Sequence, residues 1–337
     1  MVVYNYAGVS TNVLIGYEDT AYGTAATADK NIGFVQSLNM TDRNSLERVH
    51  AVGARNAQAL VPKIYEVTGS VDVVYQNGRL LAYAVGTDED AEVTDPDYSH
   101  TLAEADALSS FTLKASHDAA ADLVRTYTGC VVNSIRLSGD MNSPLKMSAD
   151  LLAQSLTVAT SGAGTYTPDT TQVPAPQFGS FKIGAEAGEE AILQVQNFEF
   201  TLNNNIEMVG AVGNRLRRAA VPKTRTYDFR LSAALTTDSG ASTQDSMEQL
   251  QILLGSTTPQ SSLTEKSVII EYDNGVAGGS GQRKLTADFD GFLYDEATVN
   301  TPVEGIVTID LSGMAKSLDT VKIICIDDVA TDYITAD

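Results

Sequence analysis

The fifteen residues VHAVGARNAQALVPK, from Val49 to Lys63, return 160 positions later as VGAVGNRLRRAAVPK, from Val209 to Lys223. Nine of the fifteen pairs are identical, among them Gly53/Gly213, Arg55/Arg215, Pro62/Pro222 and Lys63/Lys223. A segment spelled twice in register implies a unit used twice, and the flanking residues extend the match. Val35, Gln36, Asn44 and Glu47 recur as Val195, Gln196, Asn204 and Glu207. Leu38, Met40 and Leu46 are answered in apolar character by Phe198, Phe200 and Ile206. A chain of 337 residues has room for two domains of ordinary size, in agreement with the repeat.

Both copies alternate apolar and polar residues before and after the repeated segment, as half-buried strands do. After V-P-K, Val67, Gly69, Val71, Val73 and Tyr75 fall at the offset of Tyr227, Phe229, Leu231, Ala233 and Leu235, which predicts one inward face in each copy. A short helix follows. In the second copy Asp245 is its N-cap, Glu248 the capping-box partner and Gly255 the left-handed stop; in the first, Asn77 to Gly86 ends on the same glycine. Each copy then closes on strands, with NSPLKMSADL (Asn142 to Leu151) set against NTPVEGIVTIDL (Asn300 to Leu311). Little helix and many alternating runs predict a mainly β chain of antiparallel sheet with one short helix per copy. The expected units are a first domain 1–165 with an N-terminal arm, a Thr/Gly/Pro-rich linker 166–178 and a second domain 179–337. Only the first carries the acidic insertion 87–110, which reads as a solvated surface loop.

Asp and Glu number 43 against 22 Lys and Arg, a formal net charge of −21, which repels nucleic acid and anionic membranes. With 43% apolar residues in patterned runs, the chain still folds. Such acidity suits a salt-rich cytoplasm, and so a halophilic source, as well as an ordinary acidic protein. The start lacks the basic and apolar regions of a secretory signal, and no apolar run approaches the ~20 residues that span a bilayer. Cys130 and Cys325 lie in strand-like apolar runs and read as core residues.

No catalytic, cofactor or metal constellation survives inspection. His50, His100 and His117 stand at no ligand spacing from one another or from a cysteine. Ser116, His117 and Asp118 are adjacent and so point apart, which rules out a triad. The glycine cluster NGVAGGSGQRK, Asn274 to Lys284, resembles a phosphate loop, but both flanks read as strands and no helix begins where it ends, leaving a flexible hairpin tip. DFDGFLYDE, Asp288 to Glu296, has two liganding positions before its glycine where a calcium loop needs three, so Asp288 and Asp290 are expected on the wet face of a strand.

The repeated excursions, 40–63 and 200–223, are far longer than a tight hairpin and carry arginines in an acidic chain. They are therefore natural partners for carboxylates on a neighbouring copy, which arginine grips with two parallel hydrogen bonds. Candidate contacts are Glu47, Arg55, Lys63, Glu207, Arg215, Arg217, Arg218 and Lys223, with Tyr22 on the N-terminal arm.

At this point a resemblance emerges. The arm Glu18-Asp19-Thr20-Ala21-Tyr22-Gly23-Thr24, the G-x-R excursion, the V-x-G-S-V strand (Val67 to Val71) and the helix ending in L-x-x-x-x-G (Leu81 to Gly86) are similar to the tail tube proteins of tailed bacteriophages and archaeal viruses. The arm is one residue off the simplest E-x-T-x-Y-G-T form. The resemblance covers most of the first copy and, through the repeat, most of the second. It implies a β-sandwich with a flanking helix, joined edge to edge into rings of sixfold domain symmetry that stack into a tube. A chain with two fused copies would close such a ring as a trimer. It also implies a structural virion protein without enzymatic activity or cofactor, located in the tail. Its partners would be itself, the tape measure, tail terminator and tail-tip or baseplate hub proteins, with DNA only in transit through an acidic lumen. Another virion β-protein (sheath or decoration) or an acidic surface adhesin that binds glycans are the alternative readings.

Overall fold

The computed structural model describes residues 11–94, 97–117, 123–162, 164, 171–185, 188–192, 194–237 and 243–334. The tip of the N-terminal arm, His117's neighbour Asp118 and residues 166–170 of the expected linker lie outside them. Strands β1 Thr11–Tyr17, β2 Phe34–Val49 and β3 Ala59–Val74 lead into helix α1 Arg79–Val85. Then come β4 Gly86–Thr94, β5 Asp97–Glu104, β6 Phe111–His117, β7 Leu123–Asp140, β8 Ser143–Ala153 and β9 Ser155–Ala159. The chain continues with β10 Ser180–Ala185, β11 Gly188–Ile192, β12 Val195–Asn203, β13 Glu207–Val209, β14 Ala219–Val221, β15 Thr226–Ala234 and β16 Thr243–Gln244. Helix α2 Ser246–Leu254 precedes β17 Lys266–Asp273, β18 Lys284–Asn300, β19 Thr308–Ala315 and β20 Ser317–Asp327. The fold is mainly β, and among the described residues every named strand pairing is antiparallel except β11 with β16.

One sheet runs β2-β3-β8-β7-β12-β15-β19-β18. Its first four and last four strands follow one order and one register. Leu38 faces Val71 across β2 and β3 as Phe198 faces Leu231 across β12 and β15. Val71 faces Ala149 of β8 as Leu231 faces Leu311 of β19. This register corrects the pairing of Asn142–Leu151 with Asn300–Leu311: Leu151 corresponds to Gly313, a two-residue slip already present where Ala297 of β18 stands in the place of Ile135 of β7. An even slip leaves the same face inward, which is why the letters misled without spoiling the pattern.

The second layer is β1-β6-β7-β9 over the first half and β11-β10-β17-β18-β20 over the second. Strands β7 and β18 therefore serve both layers. Each turns the corner at a glycine with positive φ, Gly129 at 63° and Gly291 at 66°, where a side chain would be strained and would meet Gln154 and Tyr22 or Lys316. The expected inward faces are buried, Val67, Val71, Val73 and Tyr75 in one half and Tyr227, Phe229, Leu231 and Ala233 in the other, whereas Leu235 emerges into solvent. Between the layers of the second half Phe289 packs on Phe200 and Phe229, centroids 4.7 and 4.9 Å away, contacts that add about 0.5–1.5 kcal/mol each beyond burial. Helix α2 has the expected capping box of Asp245 and Glu248 and ends on Gly255 with left-handed φ. Cys130 and Cys325 are free and buried.

Three expectations are corrected. Residues 87–110 do not form a solvated loop: β4 and β5 make a hairpin, and β5 pairs with β20 of the other half, Leu102 facing Ile323. Within it Asp97 is a buried acceptor, taking amide hydrogen bonds from Gly279, Ser280 and Gln282 at 2.7, 3.3 and 3.1 Å. The glycine cluster lies, as expected, between two strands, but its amides hold an anion after all, one supplied by the chain itself. Finally, Asp288 is buried and accepts from Ser267, because the register shift between Ala287 and Phe289 turns it inward; Asp290 is exposed as expected.

Candidate assembly interface

Strands β2 and β3 form one continuous hairpin whose alternation of apolar residues ends at Met40. Beyond it Asp42, Arg43 and Asn44 have no apolar face to bury, so the arm leaves the core and stands exposed. Across its base Tyr65 donates to Asp42 at 2.9 Å; burial, and after it this contact with the carboxylate, pushes the phenol pKa up to about 12. Glu47 and Lys63 pair at 2.6 Å. At the tip Ala54 N–H bonds the carbonyl of Ala51 around Gly53, whose φ is 88°.

The second excursion repeats these devices. Glu207 and Lys223 pair at 2.5 Å, and Asn214 N–H bonds Ala211 around Gly213 with φ 87°. The Lys223 ammonium holds the Glu207 carboxyl below the usual carboxylate range. This arm is broken, however. Asn205 has φ 48°, the strand stops at Asn203, and a separate ribbon of β13 and β14 lies against the base of the first arm. Arg215 donates to the carbonyl of Lys63 at 3.0 Å and to Asn44 Oδ1 at 2.7 Å, and Arg217 pairs with Glu66 at 3.0 Å. Tyr65 N–H returns a bond to the carbonyl of Arg215, and Tyr22 reaches the sulfur of Met208.

Thus Arg215, Arg217 and Tyr22 hold one half of the chain against the other, and only Arg217 uses a carboxylate to do so. Glu47, Lys63, Glu207 and Lys223 pair within their own arms. Arg55 and Arg218 are exposed.

The joint between halves is β7 against β12, with Phe200 facing Leu137 and Thr201 facing Arg136. Asn204 caps it: its amide nitrogen donates to the carbonyls of Ala84 and Val132 at 2.9 and 3.1 Å and its oxygen accepts from Arg225 at 2.9 Å. Arg225 donates in turn to the carbonyls of Val85 and Ala105. These residues help to satisfy the open carbonyls at the end of α1, that of Val85 together with the Ala105 N–H. In the candidate arm motif, Glu18 is buried and accepts from Gly23 N–H, Ser110, Thr112 and Gly129 N–H, at 2.7–2.9 Å. Sequence reasoning gave neither Glu18 nor Asn204 a role, although Glu18 opens the arm motif and Asn204 repeats Asn44.

The outward face of the eight-stranded sheet is polar. Asp72 accepts from both Ser37 and Ser148 at 2.5 Å, which lowers its pKa, and Ser134 donates to Asp150 and Ser232 to Asp310. Arg136 and Glu199 meet across the joint at 3.4 Å. The sheet thus presents a hydrated, carboxylate-bearing face and closes its apolar face on the core. No curated protein sequence matches the chain significantly. The family model described as phage tail tube protein matches residues 8–291, most of the length, and the chain belongs to that family.

Proposed function

We propose that this protein is the repeating structural subunit of a viral tail tube, built from two tandem tube domains, about 1–165 and 179–337, so that three subunits close a ring with six domain positions. Rings stack through the arms 40–63 and 200–223 and the N-terminal segment 1–30. The polar sheet face lines the channel. The observation that carries this reading is the eight-stranded sheet itself, which already joins two units edge to edge within one chain. Carboxylates on the proposed channel face, with a chain charge of −21, suit DNA in transit, because a wall of cations would hold phosphates by many simultaneous ion pairs. A sheet closed from such units would exceed the roughly 16–18 strands at which barrels leave an aqueous channel. Tape measure, terminator and tail-tip or hub proteins are the partners such a tube requires, and the protein works as a scaffold without a cofactor. Electron microscopy of the concentrated protein across salt concentrations tests this. Stacked rings or hollow rods are expected, and a monomer under every condition overturns it.

A further inference from the structure

The internal joint has a defined register, and the sheet it creates ends on two edges of the same kinds. At the joint Asn203 faces Ser134 and Phe200 faces Leu137. In the first half β2 holds the place of β12, 160 residues earlier, since each pairs alike with its neighbour. The segment Leu293–Asn300 of β18 holds the place of β7, 162 residues later. Ala297 faces Leu311 of β19 as Ile135 faces Ala149 of β8, and 149 and 311 are themselves equivalent. Yet among the described residues β2 pairs with β3 alone and Leu293–Asn300 with β19 alone. Such edges present rows of unpaired N–H and C=O groups, a template for another chain.

We infer that the β2 edge of one copy of this chain pairs antiparallel with the Leu293–Asn300 edge of a second copy, in the register of the internal β7–β12 joint. The inference rests on the tube reading and deepens it by naming which edges meet and which residues face each other. Carrying both offsets over sets Met40 of one copy against Val299 of the next, and Arg43 against Glu296.

The chemistry agrees with that placement. Met40 and Val299 lie on the inward face, whereas Arg43 and Glu296 lie on the outward one with opposite charges. Burial is complete at the internal joint and incomplete at the ends: Phe200 and Leu137 are 0% exposed, but Val299 is 43% exposed. Asn44 is the same letter as Asn204, yet it is exposed where Asn204 is buried. Across the proposed joint Asn44 arrives at the last turn of α2, where Leu253 stands two residues before Gly255 as Ala84 stands two before Gly86. The two edges differ, so the contact is head-to-tail and repeats until it closes.

Met40→Cys and Val299→Cys, made as separate variants of the full chain, test the register under mild oxidation, because both native cysteines are buried. Mixing the two should give a covalent dimer, each alone should give none, and the double variant should give a ladder. A dimer from either variant alone, or visible rods with no cross-link in the mixture, would overturn the inference while leaving the tube reading intact. A chain that never assembles under any salt condition sinks both. As an independent readout, Arg43→Glu should abolish sedimentable assemblies and Glu296→Arg in the same chain should restore them; no restoration counts against the pairing.

Discussion

Asn204 donates from its side-chain amide to the carbonyl of Ala84, 120 residues earlier, at 2.9 Å, and so ties the start of the second arm to the end of the first helix. Asn204→Ala would strand that carbonyl, the carbonyl of Val132 and one donor of Arg225 in a buried joint. Leaving buried groups unsatisfied costs about 1–3 kcal/mol each, so a loss of about 2–4 kcal/mol is expected in urea denaturation. The same change at exposed Asn44 removes one solvent-exposed acceptor of Arg215, so it should cost the monomer less, about 1 kcal/mol, but reduce assembly. Equal losses of monomer stability at both sites would contradict the unequal roles assigned to them.

Glu18 is the opening residue of the arm motif, and its carboxylate gathers two backbone amides and two hydroxyls from three separate segments. Glu18→Gln keeps the shape but replaces an acceptor oxygen by an NH2 group facing donors. A loss of about 2–3 kcal/mol follows from charged hydrogen bonds of this kind, seen as a lower thermal midpoint. An unchanged midpoint would mean that the four contacts contribute nothing net.

His100 is held between the carboxylates of Asp88 and Asp327 and stacks on Tyr333, ring centroids 3.8 Å apart. Burial alone would lower its pKa, but the two carboxylates, Asp327 at 3.6 Å and Asp88 at 3.3 Å, outweigh burial and raise it from 6.5 to about 9. A raised folded-state pKa stabilises the fold fully below pH 6.5, and the gain is lost as pH rises through 9. At about 1.4 kcal/mol per pKa unit the loss amounts to about 3 kcal/mol. Denaturation midpoints between pH 6 and 10 should show that fall, and His100→Gln should flatten it. A flat profile for the wild-type chain would refute the assignment.

The period-two patterns and the capping box made the strands and α2 legible, because those signals are local or internal to the chain. The hairpin 87–110 was not. Its carboxylates look solvent-bound in sequence, and only the fold brings Gly279, Gln282, His100 and Tyr333 to them from up to 245 residues away. The targets that Arg215 and Arg217 take within the chain were not legible. Arg215 chose a carbonyl and an amide, since Lys63 and Asn44 stand where the broken second arm lands. Register was the least readable feature, as a slip of two between β8 and β19 leaves the apolar face unchanged.

Asp97 offers a sharper test of the clasp between halves. Its side chain is buried against the loop 274–283, where positive φ at Gly279 and Gly281, 81° and 88°, lets successive amides turn toward one carboxylate. Such a concave run of N–H groups binds an anion without any basic side chain. Asp97→Ala removes the anion and leaves those amides inward-facing, with an expected cost of about 2–4 kcal/mol. Because the loop belongs to one half and Asp97 to the other, the variant should also become sensitive to limited proteolysis between Asn274 and Arg283 before the remainder of the chain unfolds. Cleavage there at the wild-type rate, with stability unchanged, would show that β17 and β18 position the loop without help from the hairpin.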